Sequence, residues 1–165
     1  MLIAHASAGY IVTKSFNKIK KDNISYLKYG LIFSIWPDLD LLYFYLIDNK
    51  NTLHHFYFPH IPMFLLLGCL LIPVLKLLKI NSKSINIYSL FLINWFVHLV
   101  LDTTTGGINW LFPFSERLLF LIQIPANYPH WVLSFIFHWS FLIEIGIVIW
   151  SIILFLKGNR TYPLK

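Results

Sequence analysis

His98 and Asp102 stand four residues apart near the end of an apolar run, FVHLVLD at 96–102. On a helix that spacing puts both side chains on one face. An imidazole beside a carboxylate is a mixed nitrogen–oxygen donor pair suited to a divalent metal. Similar donors lie upstream: His5 near the start, Asp38 and Asp40 in WPDLD at 36–40, and His54, His55 and His60 in DNKNTLHHFYFPH at 48–60. Two carboxylates held close together repel unless a proton or cation compensates. A regular helix would splay Asp38 and Asp40, so Pro37 is expected to break the helix there and draw them together. After Asp102 comes TTTGG at 103–107, where the helix is expected to stop. His138 and Glu144 lie six apart on different helix faces and read as interhelical glue, as does His130 as an interfacial residue.

The elements that must position these residues are membrane helices. Of 165 residues, 58% are hydrophobic and 12% charged, where soluble domains carry about 25% charge. An ionisable group at the centre of a membrane costs roughly 2.5–3.5 kcal/mol on insertion scales, so such groups face an interior and serve a function. The net charge of +6 is not a nucleic-acid signature. Its lysines cluster at 14–28, at 76–83 and from 157 onward, between or after apolar stretches, as cytoplasmic loops do. The connections 48–60 and 102–130 carry one cation each, Lys50 and Arg117. The expected architecture is an all-α, polytopic membrane helical bundle in a single domain, 1–165. It has about four spans (29–47, 61–78, 85–101 and 131–156) plus a short N-terminal helix at 2–12. The basic loops and the C-terminus face the cytoplasm, and the His/Asp loops share the outer side. No cleavable signal peptide is expected. The lone Cys69 rules out an intramolecular disulfide and a cysteine-rich zinc site.

Taken in order, His5, PDLD at 37–40, HHFYFPH at 54–60, HLVLD at 98–102 and a Thr-Gly tract leading to LFPFS resemble a known bacterial family. It comprises membrane-bound, predicted metal-dependent hydrolases and includes LexA-regulated inner-membrane members. The resemblance covers residues 5 to about 115. It maps His5, Asp38, Asp40, His55, His60, His98 and Asp102 onto the family's polar positions. It implies His5, Asp38, His55, His60, His98 and Asp102 as metal ligands. Between the two loop histidines the chain departs from the family's H-R-G-x-T-H: Phe56, Tyr57 and Pro59 replace Arg, Gly and Thr. The lost arginine could have gripped a phosphate or carboxylate bidentately; either Arg117 supplies that contact from the other outer loop, with Thr105 and Gly106 beside the substrate, or this member handles its substrate differently. The layout is more faintly similar to zinc-dependent phospholipases C.

Mixed imidazole and carboxylate ligation suits zinc first and also accepts manganese or iron, with one or two ions per chain. The expected chemistry is hydrolysis of an ester or phosphoester, with Asp40 and Asp38 as catalytic carboxylates and Asp40 as the general base. A site at membrane depth points to membrane lipid as surroundings and to a lipidic substrate. Three other readings use the same residues: a non-catalytic protein whose His/Asp network is structural, a haem protein using His98 and His138, and an ion path. Oligomeric state is left open.

Overall fold

The computed structural model describes residues 3–16 and 24–160; Lys18, Lys20, Lys21 and Lys165 of the basic clusters lie outside them. Seven α-helices follow in order: α1 Ala4–Ser15, α2 Ile24–Ile35, α3 Asp40–Leu46, α4 Pro62–Leu77, α5 Ser82–Thr105, α6 Trp131–Ile136 and α7 Phe141–Arg160. Short 3₁₀ turns at Trp36–Leu39, His54–Phe56 and Phe58–His60 link α2 to α3 and α3 to α4. No strand occurs among the described residues, only an isolated antiparallel bridge between Ile108 and Leu119. The all-helical class read from the sequence is therefore what the chain adopts.

The central element is α5, which contacts α1, α2 and α4. Its 24 residues rise about 36 Å at 1.5 Å each. Among the described residues it is the one helix both long and apolar enough to cross a membrane unaided; α4 is as apolar but shorter, at 16 residues. The expected spans at 29–47 and 131–156 are each divided. Pro37 ends α2 after 12 residues and forces a 3₁₀ turn before α3, as the missing N–H of proline requires. The run after Trp131 breaks between α6 and α7, where the Ser140 hydroxyl donates to His138 Nδ1 at 2.8 Å and its amide approaches the same atom. Local side-chain bonds of this kind compete with helical ones.

The threonine tract does not stop α5. Thr103 and Thr104 return their hydroxyls to the carbonyls of Leu99 and Leu101, so the helix runs on to Thr105. It ends at Gly106 and Gly107, whose amides both reach the Asp102 carbonyl. The freed carbonyls of Thr103 and Thr104 accept the amides of Leu121 and Ile122, which satisfies a helix terminus that would otherwise be left open. Gly107 sits at φ 76° with the Phe120 ring where a Cβ would be.

Burial is inverted relative to a water-soluble protein. The most buried side chains include His60, His98, Asp102, Asn94, Asn109 and Glu144. By contrast, Leu66, Leu70 and Leu77 on α4 and Leu142, Ile149 and Leu156 on α7 are exposed. Apolar surface on that scale needs an apolar medium. Charge is sorted along the helix axes as well. His5 at the start of α1 meets Asp102 at the end of α5, and the Ile3 amide donates to Glu144 in the first turn of α7. Lys14, Lys28, Lys76, Lys83 and Lys157 occupy the opposite helix ends.

The short α1 reaches this polar end because it lies tightly against α2. A Cβ on Gly9 would meet the Ser34 side chain and the Gly30 carbonyl; one on Gly30 would meet the Thr13 side chain and the Gly9 carbonyl. Small residues let helix backbones close up in this way. Gly30→Val should therefore cost about 1–3 kcal/mol through overpacking and lower the melting temperature in detergent. Gly146→Val, at a position with no atom near its Cβ, should leave it unchanged. Equal melting temperatures for the two variants would show that α1 is not held by this contact.

Candidate metal centre

The donors arrive from three elements, and the two histidines are fixed from behind. His98 and Asp102 share one face of α5, with Nε2 and Oδ2 3.0 Å apart. His98 Nδ1 lies 2.7 Å from the Ser34 carbonyl. That oxygen can only accept, so Nδ1 carries the proton and Nε2 presents its lone pair. The carbonyl is available because a 3₁₀ turn beginning there would bond it to the N–H of residue 37, and Pro37 has none.

His60 is delivered by the turn before α4. The Trp95 indole N–H donates to the Pro59 carbonyl and pins this turn onto α5. Asp40 Oδ2 lies 2.7 Å from His60 Nδ1 and takes its proton, leaving Nε2 to face His98 Nε2 at 3.3 Å. Asp38 reaches the other side of the ring, with Oδ1 3.8 Å from His60 Nε2 and 3.6 Å from His98 Nε2. The Pro37 break thus brings both carboxylates to one imidazole, on opposite nitrogens. Asp102 Oδ2 closes the figure at 3.5 Å from His60 Nε2.

These four atoms, from Asp38, His60, His98 and Asp102, lie within 4.8 Å of one another. The separations above run from 3.0 to 3.8 Å. Ligands about 2.05 Å from a tetrahedral zinc stand about 3.3 Å apart, so the quartet has the right size and the right atoms to hold a metal ion. With both rings neutral, all four are acceptors, and acceptors crowd together only around a cation.

The supporting residues differ in what they do. His5 stacks on His98 at 3.8 Å and spans the outer carboxylate oxygens, with Nε2 3.3 Å from Asp102 Oδ1 and Nδ1 3.7 Å from Asp38 Oδ2. His55 directs Nδ1 at the Gly106 and Gly107 carbonyls at 3.0 and 2.8 Å, so it too turns Nε2 inward, 3.9 Å from Asp102 Oδ2. Its ring fills the space a Cβ on Gly106 would need. Burial pushes the His55 imidazole down to about 4, which keeps it neutral near pH 7. Burial would lower His60 as well, but hydrogen bonding to Asp102, Asp38 and Asp40 outweighs it and lifts the imidazole to about 10. In the metal-free chain, a proton meets the quartet's demand for positive charge.

Of the residues expected at the site, His5, Asp38, His60, His98 and Asp102 converge on one point. His55 sits at its edge, and Asp40 stands behind His60. Thr105 and Gly106 line a cavity of about 460 Å³ beside the quartet, together with Asp38, His54, His55 and Asp102. Arg117 is exposed and is not part of that lining. The family resemblance gives His54 no role, yet its Nδ1 lies 3.6 Å from Asp40 Oδ1. Sequence reasoning also overlooked the Ser34 carbonyl, for which Pro37 three residues on was the only signal.

Polar groups gathered inside a helical shell that is apolar on its outer face define an integral membrane protein with a candidate metal centre. The chain belongs to the YdjM inner membrane protein family, whose model matches residues 1–162. Membership bears out the bacterial inner-membrane family read from the motifs, and it carries no reaction with it. No curated protein and no solved structure matches the chain.

Purified in detergent at neutral pH, the wild-type protein should hold one divalent metal ion per chain by elemental analysis. His98→Ala and Asp102→Ala should hold none. Asp40→Asn, which removes only the anchor behind His60, should bind about 10–100-fold more weakly. Equal metal in all four proteins would rule the quartet out.

Proposed function

We propose that the chain is a metal-dependent hydrolase of the inner membrane, cleaving a carboxylic ester or phosphoester. The observation that carries this reading is the quartet of inward-facing acceptor atoms beside an open cavity. In this proposal α4, α5, α7 and the α2–α3 unit cross the membrane, the lysine-bearing ends face the cytoplasm, and the centre opens outward.

Asp38, His60, His98 and Asp102 would hold one divalent ion, zinc by preference, which would supply Lewis-acid chemistry for the hydrolysis. Asp38 is the quartet member that meets the substrate, with its side chain 30% exposed against 2% for Asp102. His55, lining the cavity with Nε2 turned inward, is placed to take the proton of the attacking water. The water oxygen bonds to the carbonyl carbon or phosphorus, the bond to the leaving oxygen breaks, and the departing alkoxide recovers the proton from His55. One water is consumed, yielding an acid and an alcohol. Asp40 is absent from the cavity lining, so its role here is to orient His60 rather than to act as the base. His5 holds the outer oxygens of both carboxylates.

The alternative, a metal centre that only staples α1, the Pro37 turn and α5, separates cleanly in one assay. Metal-loaded wild type should hydrolyse a chromogenic ester or phosphodiester. His55→Gln should keep its metal and lose about 10²–10⁴-fold in kcat. A fully metallated wild type without turnover on either class would favour the structural role.

A further inference from the structure

The cavity beside the quartet is chemically one-sided. Its carboxylates and imidazoles belong to the metal-centre residues Asp38, His54, His55 and Asp102, whereas Leu41, Phe44, Tyr45, Ile124, Trp131 and Phe135 are apolar or aromatic. It shares Thr105, Ile124 and Trp131 with a second cavity of about 580 Å³, lined further by Phe120, Ala126, Tyr128 and Pro129 and by the uncharged polar Gln123 and Ser134. Trp131, common to both linings, is 63% exposed, which puts this shared wall at the protein surface. A compact polar substrate would leave most of these walls unfilled. A hydrocarbon chain would fill them, with each buried methylene tightening binding about fourfold.

The charge of the site restricts the head in turn. Two carboxylates, Asp38 and Asp102, face the cavity, and no lysine or arginine lines it. Phe56 occupies the loop position between the two histidines, and Arg117 lies elsewhere on the surface. A divalent ion cancels the two carboxylates and leaves nothing over for a doubly charged phosphomonoester.

We infer that the substrate is a long-chain amphiphile whose scissile group carries at most one negative charge, a carboxylic ester or phosphodiester. Its head lies at Asp38 and His55, and its tail passes the Thr105–Ile124–Trp131 neck into the second cavity. This rests on the hydrolase reading and names its substrate class.

The test uses the metal-loaded full chain in detergent with three probes: 4-nitrophenyl butyl phosphate, 4-nitrophenyl dodecyl phosphate and 4-nitrophenyl phosphate. The dodecyl diester should exceed the butyl diester at least a hundredfold in kcat/KM, mostly through KM, and the monoester should be inert. Ala126→Trp, which fills the second cavity, should bring the dodecyl-to-butyl ratio to near one. Ala126→Leu should lower it in part, should the larger residue fail to fold. Equal efficiency on the two diesters overturns the tail and spares the hydrolase; turnover of the monoester overturns the charge limit. A readout independent of turnover is tryptophan quenching by a dodecyl methylphosphonate ester brominated at the chain end. Quenching should saturate near one ligand per protein and lose its main component in Trp131→Phe. Saturable quenching without hydrolysis of any of these probes or of 4-nitrophenyl dodecanoate would uphold the amphiphile as ligand and overturn the hydrolase. Non-saturable quenching, unchanged in Trp131→Phe, would overturn the tail path.

Discussion

The structure depends on an electrostatic constraint: four acceptor atoms face one another at a spacing only a cation makes favourable. Asp38, His60, His98 and Asp102 come from a turn, a loop and one helix, and none could keep its position alone. The histidines keep their outer protons on Ser34 and Asp40, so without a metal the crowding is relieved only by an added proton on His60. The same locking that makes the cluster unfavourable without a cation makes it preorganised for one.

The helices follow from that constraint and from lipid. With leucines and isoleucines turned outward and histidines and aspartates inward, apolar burial cannot by itself specify which helix meets which. Specificity falls to close backbone contacts, such as Gly9 against Gly30, and to hydrogen bonds that cross between elements, such as Trp95 to Pro59 and Ile3 to Glu144. Each of these brings something to the polar end of the bundle, while the lysines sort to the other.

Much of this was legible in the chain. Helical class followed from apolar run length and composition, and the distribution of lysines separated the two ends. The i, i+4 spacing of His98 and Asp102 placed both on one face, as found. Pro37 was rightly read as a break, yet its effect on Ser34 was not, since main-chain carbonyls leave no mark in side-chain patterns. The threonine tract misled because its residues favour helix ends by propensity, but here their hydroxyls fold back onto the helix and extend it. Apolar continuity across 131–156 hid the break at His138, which local hydrogen bonding sets. His5 was seen as a polar residue in a short helix, but nothing in its surroundings announced that it would stack on His98. That contact depends on two glycines 21 positions apart, Gly9 and Gly30, and on how closely two backbones can approach.

The way α5 ends has a bearing on access. Its last carbonyls are taken by Leu121 and Ile122, and Asp102 sits within the same final turns, its own carbonyl holding Gly106 and Gly107. The segment that roofs the cavity is thus stitched to the helix that supplies half the quartet. Displacing that segment would break two hydrogen bonds to the carbonyls of Thr103 and Thr104, the residues that directly follow Asp102.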